Sequence, residues 1–247
     1  MLPHLRRWRR AVLLFSGGLD SSLLLALGRE ALGEGLTALT FVGPHTTPGE
    51  VWAACQLARK YGVRHLLAEI NPLVLPDFRE NTPQRCYACK QAMLAKAGKV
   101  AAALTADVLW DGANADDLQD YRPGLLAARE AGVVSPLLEA GLGKQEIRQL
   151  SQRLGLPEDK PPQSCLATRF PYHTTLTREA LDRVGRAEAW LRGRGFTHVR
   201  LRVHDEQVRL ELRPEEWQAF LSQDLKRSFL AVLNRLGFQS LELTLPG

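Results

Sequence analysis

Ala11-Val12-Leu13-Leu14-Phe15-Ser16-Gly17-Gly18-Leu19-Asp20-Ser21-Ser22 decides how the rest of this chain is read. A short, continuous apolar run bounded by glycines predicts a buried strand, and the amphipathic stretch Ser21–Glu30 predicts a helix directly behind it. Gly17 and Gly18 let the backbone turn tightly and come close to a ligand. The N–H groups and dipole of the helix start favour an anion, and Ser16, Ser21 and Ser22 add hydroxyl donors. Asp20 is out of place in an anion site unless it serves a divalent cation carried by phosphates. The loop lacks the Gly-Lys-Ser/Thr of a Walker A motif.

The pattern repeats on the C-terminal side. Leu36–Val42, Leu66–Ile70 and Val108–Asp111 are further apolar runs, and Val133–Leu137 is a candidate for one more. Helical stretches lie at Pro48–Tyr61, ended by Gly62, and at Lys144–Leu154, ended by Gly155 and Pro157. Short buried strands separated by helices predict an α/β fold with a parallel sheet covered on both faces. Pro157, Pro161, Pro162 and Pro171 then punctuate a segment that is neither helix nor central strand. Beyond it the order is a helix at Arg178–Leu191, strands at His198–His204 and Gln207–Leu212 joined by a tight Asp205-Glu206 turn, a helix at Pro214–Leu236 and a strand at Leu241–Leu245. The expected division is an α/β domain over 1–172 and a small α+β domain over 173–247.

The 247 residues are 45% hydrophobic and 24% charged, enough apolar material for a core and unlike a disordered chain. Of the net charge of +5, Arg6, Arg7, Arg9 and Arg10 supply four, leaving +1 for the remainder. A basic arm is present, but no charge excess for a broad nucleic-acid face. No apolar run approaches the ~20 residues of a membrane span. The five apolar residues after the arginines fall short of the roughly 7–15 of a signal peptide. A cytoplasmic protein is expected. Four cysteines are too few for a disulfide scaffold, and Cys86-Tyr87-Ala88-Cys89 has the spacing of metal, cluster or redox chemistry.

SGGLDSS at the end of the first strand resembles the PP-loop of the N-type ATP pyrophosphatases, which split ATP into AMP and pyrophosphate by adenylating a substrate. Three further stretches narrow the resemblance: Asn81-Thr82-Pro83-Gln84-Arg85-Cys86-Tyr87-Ala88-Cys89-Lys90, the segment from Asp111-Gly112-Ala113-Asn114-Ala115-Asp116-Asp117 to Asp120-Tyr121-Arg122-Pro123-Gly124, and Ser164-Cys165-Leu166-Ala167-Thr168-Arg169-Phe170-Pro171-Tyr172. Together they resemble the LarE family of ATP-dependent sulfur transferases, which serve nickel-pincer nucleotide biosynthesis. The resemblance runs over nearly the whole chain.

It implies that Ser16, Gly17, Gly18, Asp20, Ser21, Ser22, Asp111 and Asn114 bind ATP, with Mg2+ at Asp20. Lys90 then helps neutralise the reacting phosphates. Arg200 and Arg202, with Arg169 and Thr168, hold the phosphate of a pyridinium mononucleotide substrate. Glu188 corresponds to a family metal-site acid. Asp116, Asp117 and Asp120 read equally as nucleotide or Mg2+ contacts and as a solvated turn, and Arg122 is a further candidate anion clamp.

Three thiolates at Cys86, Cys89 and Cys165 suit three irons of a 4Fe-4S cluster whose fourth iron stays open; free thiols, zinc and a disulfide are the alternatives. Cys55, in an apolar helical stretch, reads as a packed thiol. In the family, sulfur comes either from sulfide carried on such a cluster or from one sacrificed cysteine, here Cys165. The resemblance also implies a homo-oligomer and a sulfide or other sulfur donor. A tRNA 2-thiolation enzyme and a non-catalytic nucleotide-sensing or cluster-storage module are the competing readings.

Overall fold

A computed structural model describes residues 1–118, 123–156 and 164–243. Asp120, Arg122, Pro157, Pro161 and Pro162 lie outside the described residues, as does the end of the last expected strand. Strands β1 (Ala11–Leu14), β2 (Leu36–Val42), β3 (Arg64–Glu69) and β4 (Val108–Trp110) form a parallel sheet in the order β3-β2-β1-β4. Helices α1 (Leu19–Leu32), α2 (Pro48–Lys60), α3 (Arg85–Ala103), α4 (Pro123–Glu130) and α5 (Lys144–Arg153) follow the strands.

The unbroken apolar run of β1 is explained by burial on both faces. Ala11 and Leu13 pack with Leu23, Leu24 and Leu57 of α1 and α2. Val12 and Leu14 face the other way, against Leu94 and Ala97 of α3 and Ala127 of α4. Thr47 caps α2 through a reciprocal pair with Glu50, which fixes where that helix starts.

Two expectations need correction, and one helix had no expectation. Val133–Leu137 is not a strand: Val134 makes one isolated parallel bridge to Trp110, and Pro136, which has no N–H for a ladder, opens a short helix over Pro136–Glu139. The stretch from Pro214 to Leu236 is not one helix. A single turn at Pro214–Glu216 and a short helix at Trp217–Phe220 precede Ser222, whose extended backbone (φ −55°, ψ 133°) restarts the chain as α7 (Gln223–Arg235). The break lets both Trp217 and Phe220 enter the core. The 19-residue α3 was not marked by an apolar stripe, because alanines form much of its packing face and its helical signal is propensity.

After α6 (Arg178–Arg192), strands β5 (Arg200–His204), β6 (Gln207–Glu211) and β7 (Ser240–Leu243) form a second sheet in the order β5-β6-β7, antiparallel then parallel. Asp205 turns the hairpin at φ 55°. Val199, Leu201 and Val203 point into a core with Leu181, Val184 and Phe229. That core also takes in Phe78, Cys89, Leu166 and Phe170 from before the second sheet.

The arginine arm is docked. Leu5 is fully buried, Arg7 pairs with Glu139, and Trp8 packs edge-on against Trp110. The backbone N–H groups of Arg9 and Arg10 both donate to Asp107, which holds that carboxyl below its ordinary pKa. No helix among the described residues is long and apolar enough to cross a membrane.

Candidate active site

The glycine loop lies at the C-terminal end of β1, where parallel sheets place their ligands. Gly17 sits at φ 77°, a conformation that strains any residue with a Cβ. Gly18 is the N-cap of α1 and no side chain caps that helix. Ser16 Oγ accepts from the Gly18 N–H (3.2 Å) and lies 3.1 Å from Ser21 Oγ, so two of the three hydroxyls are held together at the loop. Ser22 Oγ is sealed instead, without a hydrogen-bond partner among the described residues.

The loop after β4 closes against this one. A Cβ on Gly112 would lie 3.0 Å from the Ser21 nitrogen, tighter than nearly all real Cβ contacts, so a larger residue would push the two loops apart by a few tenths of an ångström. Asn114 Nδ2 donates to Asp20 Oδ2 at 3.1 Å, which ties the two loops. Asp111 is buried and oriented: Ser135 Oγ donates to it at 2.6 Å, and Lys90 Nζ stands 3.8 Å from its other oxygen. Asp117 accepts from the Asn114 N–H, and Asp116 from the Lys144 N–H. These two acids therefore brace the loop and the start of α5.

Ser16, Lys90, Cys86, Cys89 and Cys165 line one cavity of about 320 Å3. Cys86, exposed, and Cys89, buried, come from the first turns of α3, and Cys165 comes from the loop that crosses to the second sheet. Burial, then the neighbouring Cys165 and Cys86, pushes the Cys89 thiol up to about 12. Burial also pushes Cys165 up to about 11, while the Ala167 N–H and the nearby Arg85 and Arg169 pull the other way. Among the described residues no three His, Cys, Asp or Glu side chains are gathered at metal-ligand geometry. The three thiols share a cavity rather than a preformed cage. Cys55 stands apart on α2.

Buried charge fastens the Cys165 loop. Arg169, 3% exposed, holds the fully buried Glu188 through two bonds, Nε to Oε1 at 2.7 Å and a terminal nitrogen to Oε2 at 3.1 Å. Glu188 also accepts from Arg192 (2.8 Å) and from the Leu201 N–H (3.0 Å). Four donors use the four lone-pair directions of the carboxylate. The expectation of a metal-site acid is therefore corrected here: Glu188 is a brace between α6, β5 and the cysteine loop. The other terminal nitrogen of Arg169 donates to Ser164 and Thr168.

Arg202 pairs with Glu211 (2.9 Å) and donates to the Thr168 carbonyl (2.9 Å). Thr168 Oγ1 donates to the Cys165 carbonyl. Arg200 is half-buried and pulled below its ordinary pKa by burial and by the adjacent Arg169 and Arg202. Of the four residues assigned to a substrate phosphate, three are thus engaged with the protein, whereas no hydrogen bond or ion pair engages the Arg200 guanidinium among the described residues.

Two features escaped the sequence. Asn81, fully buried at φ 50°, donates to the Phe170 carbonyl (3.2 Å) and accepts from Arg85 (2.9 Å), so it joins the CxxC helix to the Cys165 loop. Asn before Thr-Pro is a signal for such a left-handed turn. His45, on the β2–α2 loop, lines the cavity beside Phe78. Burial lowers its pKa to about 4. No motif pointed to it.

No family model matches the chain. An uncharacterized protein of Synechocystis sp. is 41% identical over 239 residues, covering 96% of this chain and 89% of that protein. Pyridinium-3,5-bisthiocarboxylic acid mononucleotide synthase of Lactiplantibacillus plantarum is 35% identical over 251 residues, covering 100% of this chain and 90% of the enzyme. An NH(3)-dependent NAD(+) synthetase of Aeropyrum pernix is 32% identical over 166 residues, 60% of this chain and 54% of that enzyme.

Proposed function

Given that the chain belongs to the LarE family, with pyridinium-3,5-bisthiocarboxylic acid mononucleotide synthase among its members, we propose that it adenylates the carboxylates of pyridinium-3,5-biscarboxylic acid mononucleotide and exchanges one oxygen of each for sulfur. A substrate carboxylate attacks the α-phosphorus of ATP, and pyrophosphate leaves. The acyl adenylate then yields to a sulfur nucleophile, and AMP departs. Adenylation is required because carboxylate oxygen leaves only once it is part of a good leaving group. The observation that carries the reading is that Ser16 of the glycine loop and the thiols of Cys86, Cys89 and Cys165 line one cavity.

In this reading Ser16, Gly17, Gly18 and Ser21 hold the phosphates, Ser22, sealed beneath the loop, supports them rather than touching the ligand, and Asp111 and Asn114 shape the nucleotide site. Asp20 serves Mg2+, and Lys90 offsets phosphate charge. Arg200 holds the phosphate of the mononucleotide, while Arg202, Arg169 and Thr168 keep the adjoining loop in place for it. Three thiols from a CxxC and a distal loop form a donor set that suits a 4Fe-4S cluster, and Cys86, Cys89 and Cys165 would hold it. Such a cluster supplies an open iron site for sulfide. The residues 1–172 would form the nucleotide domain, 173–247 the substrate domain of a homo-oligomer.

Anaerobic incubation of the protein, reconstituted with iron and sulfide, with ATP, Mg2+ and the mononucleotide tests this by mass spectrometry. Sulfur-for-oxygen exchange in the substrate is expected, with repeated turnovers per chain. Product limited to one sulfur per chain, with a matching loss of sulfur from the protein, assigns the donor to Cys165 instead. Unmodified substrate contradicts the proposal.

A further inference from the structure

We propose that His45 donates a hydrogen bond from Nε2 to the substrate carbonyl oxygen as sulfur attacks the acyl adenylate. This rests on the adenylation reading above. His45 is held rigidly. The Gly43–Thr46 turn is closed by a backbone bond (Thr46 N–H to Gly43 O, 3.1 Å) and by the Thr46 hydroxyl, which donates back to the same carbonyl. A Cβ at Gly43 would collide with the Ile70 carbonyl, so the turn is set against β3. The imidazole meets Phe78 edge-on at 6.0 Å between centroids. The His45 carbonyl accepts the Leu166 N–H at 3.0 Å. His45 is thereby fixed beside Cys165 at the sulfur end of the cavity.

The two ring nitrogens have different surroundings. The residue is only 7% exposed, and Nδ1 is sealed with no hydrogen-bond partner among the described residues. The Nδ1–Cε1 edge lies against Gly43, with Nδ1 3.0 Å from where a Cβ on that glycine would be. Nε2, by contrast, is not among the sealed orphaned atoms and the residue lines the cavity, so Nε2 is taken as the nitrogen that faces it. An orphaned buried N–H is rarer than an orphaned acceptor. The cheaper tautomer therefore leaves Nδ1 bare and puts the proton on Nε2. His45 then presents a neutral donor to the cavity, and a neutral ring does not protonate the sulfur anion.

The step balances without another reactant. An anionic sulfur nucleophile brings its electron pair to the acyl carbon and the C–S bond forms. The carbonyl π pair moves onto oxygen, which accepts from Nε2–H. When the oxyanion collapses, the C–O bond to phosphorus-bound oxygen breaks and AMP leaves with that pair. A preorganised donor aimed at such an oxyanion typically supplies about 10²–10³-fold in rate.

The test separates the two half-reactions in H45F and H45Q. Substrate-dependent exchange of pyrophosphate into ATP reports adenylation, and single-turnover AMP release in the presence of sulfide reports transfer. H45F is expected to keep exchange within a few-fold of wild type and to lose transfer by about 10²-fold. Gln, which donates but does not titrate in this range, restores most of the transfer rate. Binding of a fluorescent ATP analogue shows that each variant is folded. Transfer in H45F within a few-fold of wild type overturns the proposal, as does equal loss of both half-reactions or failure of Gln to rescue. Wild-type protein without exchange overturns the adenylation reading itself, a different result from any of these.

Discussion

The two ends of the cavity are built from different materials. At the nucleotide end, a strand, two glycines and an uncapped helix start do most of the shaping; Ser16 and Ser21 are bonded within the loop, and Asn114 adds one tie to Asp20 from the loop after β4. At the sulfur end, the loop that bears Cys165 has only a short 3-10 turn of its own and is fixed by buried charge, Arg169 on Glu188, and by Asn81. An anion site is obtained from backbone N–H groups that a parallel sheet presents anyway. A loop thiol facing those groups across a cavity needs long-range bracing.

The largest test of that contrast is Glu188→Ala. Removing one partner of a buried, hydrogen-bonded pair strands Arg169, and about 3–5 kcal/mol of stability should be lost in urea unfolding. Asp20→Ala, at the other end, should abolish Mg2+-dependent ATP turnover with little change in the urea midpoint. Similar stability losses in the two variants would erase the distinction.

Acidification gives a smaller effect with a definite sign. The folded state holds His45 neutral down to about pH 4, against an ordinary value of 6.5. The unfolded chain binds the extra proton first, so this contribution is complete above pH 6.5 and is lost as pH falls toward 4. Its upper limit is about 3 kcal/mol. His65 shifts in the same direction, also by burial, so wild type must be compared with H45Q. H45Q should lose less stability over that window, and equal losses would show that burial does not suppress His45 protonation.

Gly17→Ala should cost about 1–2 kcal/mol through its left-handed backbone, together with weaker ATP binding by calorimetry. The smallest effect separates the arginines of β5. Arg200→Ala should raise the KM for the mononucleotide about tenfold, roughly 1.4 kcal/mol of binding, with KM for ATP unchanged. Arg202→Ala should instead act on stability and kcat, since Arg202 already holds Glu211 and Thr168. Matching KM effects in both variants would return Arg202 to the substrate.

The nucleotide end was legible in the sequence because its signals are local. Leu36–Val42 is β2 as expected from its apolar run, and the glycine loop sits between strand and helix as its residues require. The sulfur end was legible in its residue types and not in its bracing. Glu188 carried an overlooked signal: Leu181, Val184 and Leu191 place it on the apolar stripe of α6, where a carboxylate must be paired. His45 carried none, since a lone histidine after a strand is common and its role depends on Phe78 and Leu166, distant in the chain. The docking of the arginine arm was not legible either, because Glu139, Asp107 and Trp110 that dock it are also remote.

Exchange of labelled pyrophosphate into ATP, measured with and without the pyridinium biscarboxylate mononucleotide and with Asp20→Ala as control, reads the adenylation step itself. Exchange should require the mononucleotide and disappear in the variant, because adenylation precedes any sulfur chemistry. No substrate-dependent exchange, in protein that still binds ATP, would contradict it.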